Sequence, residues 1–470
     1  MDTREFAERI FLNLPFDPNE QQIQLVAALA RFCSMQTPSD SVFLLNGYAG
    51  TGKTSVTGAL VKALREIRIP SVLLAPTGRA AKVFAAFANH QASTIHRRIY
   101  KAAPGGLGYG FGEVADNNST NTVFIVDEAS MIGDDSGEWG NNLLEDLIHY
   151  VYAGIGCRLI LLGDTAQLPP VGCTESPAMN PDRLRSYGLR ITRAVMTEVA
   201  RQGHRSGILY NATWLRKAMR LPELPEAQIR LRGFDDVVVA PGEELRDEIE
   251  RCYSFAGMDE TIVVTRSNRR ATQFNLAIRS GILDRNEELC RDERLLVAKN
   301  NYLWSAGVKG LDFIANGDVA IVVAIHATST KYGIRFADVT LLLPDRGVEV
   351  DCKIMLDSLT SDTPALAPDK AAALMQAFFN DPELFTPDTP MSTRKRVART
   401  DPWLNALQVK YAYAVTCHKS QGGQWQEVFV DMGYIPPESR GLDFYRWLYT
   451  SITRATRRLH LINPDVKLIE

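Results

Sequence analysis

Apolar positions change period repeatedly along the amino-terminal part of this chain. From Glu20 to Phe32 they recur at helical spacing, with Ile23, Leu25, Val26 and Leu29 on one face, and the pattern ends near Cys33. Ser41 to Asn46 is a short apolar run that leads into a glycine-rich turn. A helical pattern follows from Ser55 to Ile67, then another short run from Ser71 to Ala75. Val123 to Asp127 and Arg158 to Gly163 repeat the theme, each an apolar strand with polar residues at its carboxyl end. Continuous apolar strands alternating with helices predict a parallel sheet covered on both faces. Ligands of such sheets sit beyond the strands' carboxyl ends, so those polar ends are the first candidates for chemistry.

The pattern then loosens. Residues 102–122 are rich in Gly and Asn, carry two aromatics, and read as a hairpin or excursion. A second strand–helix pattern starts near Ile191 and includes a strand from Thr261 to Arg266. From about Asn301 to Asp401 strand signals dominate, at Ala320–Ile325 and Ile334–Leu343, followed by a Pro- and Asp-bearing stretch. Alternation resumes at Val409. This predicts a small β module inserted into a second α/β domain.

Composition adds bounds. At about 150 residues per domain, 470 residues predict roughly three compact units. An apolar fraction of 45% and a charged fraction of 23% exclude wholesale disorder and fibrous architecture. No basic n-region or apolar h-region opens the chain, and no run approaches the roughly 20 apolar residues of a membrane helix, so a soluble, cytoplasmic protein without membrane partners is expected. The seven cysteines are scattered without a CxxC pair, which predicts reduced thiols and no structural zinc.

A net charge of −3 alone argues against an acidic partner, but the charge is segregated. Residues 62–101 hold eight basic residues against one acidic, and 181–220 hold nine against two. Residues 102–150 hold nine acidic residues and no basic one. Dense basic segments beside phosphate-handling motifs favour an anionic polymer.

Three strand ends carry the chemistry. Gly47-Tyr-Ala49-Gly50-Thr51-Gly52-Lys53-Thr54 fits G-x-x-x-x-G-K-[ST] between a strand and a helix. Its glycines let backbone N–H groups close around phosphate oxygens at a helix amino terminus. Lys53 then reaches the β- and γ-phosphates and the Thr54 hydroxyl holds Mg²⁺, so ATP and Mg²⁺ are the expected cofactors. The strand ending in Asp127-Glu128 supplies a second metal ligand, Asp127, and a base for γ-phosphate hydrolysis, Glu128. In Gly163-Asp164-Thr-Ala-Gln167, Gln167 is a candidate γ-phosphate sensor.

Together these motifs resemble the superfamily 1B DNA helicases of the RecD/Dda-like branch, which move 5′ to 3′. In that resemblance Gln22 matches the adenine-reading glutamine. Ala75-Pro76-Thr77-Gly-Arg-Ala-Ala-Lys82 matches motif Ia and Thr94-Ile-His96-Arg97 motif Ib, both of which touch single-stranded DNA. Thr197-Glu-Val-Ala-Arg201-Gln resembles motif IV, with Arg201 directed at the γ-phosphate. Val415-Thr416-Cys-His418-Lys419-Ser-Gln-Gly422 matches motif V, a further DNA contact, and Tyr449-Thr450-Ser-Ile-Thr453-Arg454 matches motif VI, whose Arg454 is the arginine finger. Asn19 stands where the family often has threonine, and 361–400 matches no family element.

The resemblance implies two tandem RecA-like P-loop NTPase domains, with a small β-hairpin pin insertion in the first and a small SH3-like β-barrel insertion in the second. The expected boundaries are 1–95 and 123–190 for the first domain, 96–122 for the pin, 191–300 and 406–470 for the second domain, and 301–405 for the barrel. Tyr109 and Phe111 are the wedge candidates against the last base pair. Val83, Phe84 and Phe87 are read as core. The expected activity is ATP-dependent 5′-to-3′ translocation on single-stranded DNA and unwinding at single-strand/duplex junctions, by a monomeric motor associated with the nucleoid and with repair or replication proteins. Two alternatives stay open: a RecD-like motor subunit of a larger repair nuclease, and an ATP-gated single-stranded-DNA-binding module that does not unwind.

Overall fold

The computed structural model describes residues 2–34, 37–101, 113–134, 142–198, 206–311 and 313–470. The helix expected from Glu20 forms over Glu20–Phe32. Asn19 caps it: its side chain accepts the Gln22 N–H while the Gln22 side chain accepts the Asn19 N–H, a reciprocal box that satisfies two otherwise orphaned donors.

In chain order the strands are β1 (Ser41–Gly47), β2 (Ser71–Ala75), β3 (Ala92–Thr94), β4 (Val123–Val126), β5 (Arg158–Gly163), β6 (Arg190–Met196), β7 (Val237–Ala240) and β8 (Thr261–Thr265). They continue with β9 (Arg294–Val297), β10 (Val319–Lys331), β11 (Ile334–Leu343), β12 (Val348–Met355), β13 (Leu407–Tyr411), β14 (Ala414–Thr416), β15 (Trp425–Asp431) and β16 (Ala455–Ile462). The described residues divide into two compact units: those within 2–101, 113–240 and 420–470 form one, and those within 241–419 form the other.

The first unit is built on a six-stranded sheet of order β3-β2-β4-β5-β1-β6, parallel throughout. Buried strands of this type need apolar residues on both faces, and β4 and β5 are buried along their whole length. On one face Phe43, Leu45, Ile125, Ile160 and Leu162 pack under Leu25, Val26 and Leu29 of the helix Glu20–Phe32 and Val56, Leu60 and Leu64 of the helix Lys53–Glu66. Pairing of Asn46 with Gly163 and of Val126 with Leu161 sets the ends of β4, β5 and β1 side by side. The chemistry-bearing residues just past those ends are thereby neighbours, since adjacent strands lie about 4.8 Å apart. The same unit contains a parallel group in which β16 lies between β15 and β7. The expected excursion starts from a paired base: Tyr100 bridges Val114 antiparallel, and the Lys101 N–H donates to Glu113.

In the second unit β14 pairs parallel with β8, and β10-β11-β12-β13-β9 close into a barrel. The hairpin β10–β11 turns on Tyr332 and Gly333, whose φ values of 53° and 75° suit a two-residue hairpin loop. The segment 361–400 folds as two helices, Pro368–Phe379 and Met391–Ala398. Phe378 is fully buried beside Tyr332 and Phe385, and Trp403 meets Phe336 edge-on at 5.1 Å, so this helical pair is an apolar cover on the hairpin tip. Glu293, completely buried before β9, accepts from Arg279 at 2.9 Å, Arg285 at 3.2 Å and the Tyr413 hydroxyl at 2.8 Å. The architecture is α/β with two RecA-like lobes and a closed five-stranded barrel insertion. Among the described residues no helix is long and apolar enough to cross a membrane.

Candidate active site

Between β1 and the helix Lys53–Glu66 the chain turns through Gly50 and Gly52, at φ 75° and 82°. At Gly52 a Cβ would lie 2.7 Å from Gln22 Nε2, so glycine is required there for both conformation and space. Gln22 is buried, and its Nε2 donates to the Thr51 carbonyl at 3.0 Å. With its Oε1 on the Asn19 N–H, the Gln22 amide ties the helix cap to the phosphate loop. The Thr51 hydroxyl donates to the Tyr48 carbonyl at 2.8 Å and is fully buried.

One cleft of about 220 Å³ collects most of the expected chemistry. Gly47, Ala49, Gly50, Gly52, Lys53 and Thr54 line it from the loop, Asp127 and Glu128 from the end of β4, Gln167 and Asp164 from beyond β5, and Arg454 with Gln424 and Thr453 from the carboxyl-terminal segment. Phe87 also lines it and is 55% exposed, whereas Phe84 is fully buried. The expectation that Phe87 is core is corrected: Ala81, Phe84 and Ala88 form the buried face of the helix Gly78–Ala88, and Phe87 falls outside that face.

The electrostatics suit an anionic phosphate ligand accompanied by a cation, with Lys53 set among Asp127, Asp164 and Glu128. Burial pushes the Asp127 carboxyl up to about 6, against the pull of the Lys53 ammonium, with the Glu128 charge adding to the rise. Burial also raises Asp164, again opposed by Lys53 and by the Tyr449 hydroxyl. Glu128 adopts φ 52°, unusual for a residue with a Cβ, and its Oε2 is buried without a hydrogen-bond partner. Gln167 Oε1 is likewise buried and unpartnered. Such orphaned oxygens are costly unless a ligand, water or metal meets them. Arg454 is 3% exposed; it donates to Thr450 O at 3.0 Å, Gly423 O at 3.1 Å and Thr453 Oγ1 at 3.2 Å, and among the described residues no carboxylate pairs with it.

Sequence reasoning missed Tyr449. Its hydroxyl donates to Asp164 at 2.6 Å and accepts the Ala49 N–H at 3.1 Å, joining the motif VI segment, the Gly163–Gln167 turn and the phosphate loop. Burial, reinforced by Asp164, drives this phenol well above its usual range. Leu168 is clamped similarly, its N–H on Thr450 Oγ1 at 2.9 Å and its carbonyl on Gln421 Nε2 at 2.8 Å. Tyr48 is covered by Arg216, whose guanidinium lies 4.4 Å from the ring centre. The signal was present in the motif VI spelling, but an aromatic beside a threonine carries no distinctive chemistry of its own.

The DNA-contact candidates fall in two groups. Pro76 and Thr77 precede the helix Gly78–Ala88, and Thr94 begins the helix Ile95–Ile99; both threonines are helix caps, accepting from Ala80 at 3.2 Å and Arg97 at 3.3 Å. Burial lowers His96 to about 4, so it is a neutral imidazole at neutral pH, while Arg97 is exposed. In the second unit His418 is exposed, and Thr416 and Lys419 line a small cavity with Lys410 and Asn275. Arg201, Tyr109 and Phe111 lie outside the described residues.

This cleft has the glycine loop, lysine and paired carboxylates of a P-loop nucleotide site. A family model described as an AAA domain matches residues 18–221, and one described as a UvrD-like helicase C-terminal domain matches residues 411–462. The ATP-dependent RecD2 DNA helicase of Deinococcus radiodurans is 35% identical over 139 residues, 29% of this chain and 17% of that protein. The ATP-dependent DNA helicase dda of phage T4 is 32% identical over 139 residues, 28% of this chain and 29% of its own length. The RecBCD enzyme subunit RecD of Mycobacterium tuberculosis is 24% identical over an alignment covering 92% of this chain and 68% of that subunit. Over these segments the chain is similar to superfamily 1 helicases of the RecD/Dda-like group, and it spans only 17% of the RecD2 helicase and 29% of dda.

Proposed function

We propose that this chain hydrolyses ATP to move 5′ to 3′ along single-stranded DNA and to separate duplex ahead of it. The observation that carries this reading is the convergence of Lys53, Asp127, Glu128, Gln167 and Arg454, from separate chain segments, on one cleft. Backbone N–H groups of the glycine loop and the Lys53 ammonium receive the phosphates. Thr54 and Asp127 have the donor set for Mg²⁺, which when bound neutralises charge on the β- and γ-phosphates. Glu128 takes the proton of the attacking water, Gln167 orients that water or the γ-phosphate, and Arg454 offsets charge that develops on the transferring group.

The carbonyls that hold Arg454 bear no formal charge, so a γ-phosphate is its strongest available partner. Its presence favours one arrangement of the carboxyl-terminal segment over the phosphate loop, and hydrolysis removes the preference. Thr77, Thr94, Arg97, Thr416 and Lys419 suit backbone phosphates rather than base edges, which supports binding without sequence reading. The domain boundaries stated for the sequence, the wedge role of Tyr109 and Phe111 and the γ-phosphate role of Arg201 belong to the same proposal.

Displacement assays with 5′-tailed and 3′-tailed duplexes test it. Unwinding from the 5′ tail alone is expected, and unwinding only from a 3′ tail overturns the polarity. A second reading, a motor subunit of a larger nuclease, is favoured by the alignment with the RecBCD subunit over 92% of the chain. Robust unwinding by the isolated chain counts against an obligate subunit.

A further inference from the structure

One short loop carries contacts to two separate parts of the proposed machine. The Arg79 guanidinium lies 3.9 Å from the centre of the Trp425 ring, and its Nη2 donates to the Gln424 carbonyl at 3.1 Å. On the other side, the Trp425 N–H donates to the Arg454 carbonyl at 2.9 Å, while Arg454 Nη1 donates to the Gly423 carbonyl at 3.1 Å. Both the main chain and the side chain of Arg454 are therefore held by residues 423–425.

The packing leaves little slack. A Cβ at Gly423 would stand 2.5 Å from the Trp425 ring and 3.0 Å from Arg79 Nε. Gly422 has φ 71°, and a Cβ there would lie 2.9 Å from Ala80 Cβ and 3.2 Å from Thr77 Oγ1. The loop is thus seated directly on the first turn of the helix Gly78–Ala88, the turn that Thr77 caps. Trp425 is buried, and a guanidinium on a shielded indole face is held more strongly than one in water.

We propose that Arg79, Gly423 and Trp425 form a latch that transmits occupation of the DNA strand site at Pro76–Thr77 to Arg454, with Trp425 as a positioning residue for the DNA-stimulated part of ATP hydrolysis only. The inference rests on the DNA-dependent ATPase reading above. A strand pressed against the Thr77 cap shifts the first helical turn, Arg79 carries the shift to Gln424 and Trp425, and the Gly423 carbonyl moves the guanidinium that it holds. Latch and strand contact are distinct, because neither Gly423 nor Trp425 faces the DNA site in this scheme.

The test is steady-state ATP hydrolysis by the full chain, with and without oligo-dT, beside oligo-dT affinity measured by fluorescence anisotropy. Trp425→Leu should reduce DNA stimulation of kcat about tenfold, in the range of ordinary site–site coupling, while turnover without DNA, KM for ATP and oligo-dT affinity stay at wild-type values. Trp425→Phe, which keeps a ring for Arg79, should recover most of the stimulation. At oligo-dT concentrations that saturate each variant, Arg79→Gln should lose stimulation as Trp425→Leu does, and the double variant should lose no more than either single one. Wild-type stimulation in both Trp425→Leu and Arg79→Gln overturns the latch, as does equal loss of basal and stimulated turnover. A wild-type chain without DNA stimulation overturns the DNA-dependent reading itself, and the latch with it. Should Trp425→Leu fail to fold, Arg79→Gln and Trp425→Phe decide the matter alone.

Discussion

Substituting Glu128 with Gln removes one charge while keeping the side chain's shape. In the structure its Oε2 is buried and unpartnered beside Asp127, at a residue held at φ 52°. If Glu128 takes the proton of the attacking water, the lost general base lowers kcat by about 10²–10⁴. That corresponds to about 3–5 kcal/mol of barrier. Nucleotide binding should survive, because the Glu128 charge raises the Asp127 carboxyl; without it Asp127 ionises more readily and holds a cation at least as well. Stability should hold or rise, since a buried charged oxygen without a partner is an unfavourable feature of the native state. The experiment combines DNA-stimulated ATP hydrolysis, binding of a fluorescent ATP analogue and thermal unfolding. Turnover within tenfold of wild type would refute the assignment of Glu128 as base. Parallel loss of affinity and turnover would recast it as a binding residue.

Three other outcomes are expected. Arg454→Ala should lower kcat by about 10³ or more with little change in KM for ATP, as for a group acting on developing charge; equal losses in both constants would argue against a finger. Tyr449→Phe leaves the Ala49 N–H and one Asp164 oxygen without their buried partner, so urea unfolding should show a loss of about 2–4 kcal/mol, and an unchanged midpoint would sink the network's structural role. Burial lowers Lys419 to about 8 from its ordinary 10.5 and lowers the neighbouring Lys410 likewise, so both are charged below that pH and discharge above it. Oligo-dT affinity should accordingly fall as pH rises through about 8, and Lys419→Arg should flatten the profile; a flat wild-type profile would remove Lys419 from the phosphate contacts.

Much of the first sheet was legible because its strands are buried on both faces and read as unbroken apolar runs. Ser71–Ala75 and Arg158–Gly163 begin and end where the pattern places them. The cleft residues were legible for a related reason: Lys53, Asp127, Glu128 and Gln167 sit at strand ends, where local spacing fixes which way a group faces. Arg454 entered only through resemblance, since its place beside the phosphate loop depends on contacts between distant segments. Tyr449 illustrates the limit, because its partners Ala49 and Asp164 are far away in sequence and nothing local marks it. The 361–400 helices were hidden for another reason. They are short and separated by a proline-bearing stretch, and they gain their apolar face only against Tyr332 and Phe336 of the barrel hairpin. Phe87 shows how a periodic stripe misleads: three apolar residues on one helix do not share one face when the buried stripe is narrow.

The division of the chain into units has a consequence for its birth on the ribosome. Ser420–Glu470 belongs to the same compact unit as Met1–Lys101, and β16 pairs with β7 although residues 241–454 intervene. A nascent chain can therefore assemble the phosphate loop and the carboxylates early, yet it lacks Arg454, Thr450 and Tyr449 until synthesis is nearly over. During that interval the Ala49 N–H and the Leu168 backbone have none of the partners they keep in the finished unit. Emerging polypeptide thus lacks a complete cleft until the last segment has been made, and truncation before residue 449 should leave the phosphate loop without Tyr449, Thr450 and Arg454.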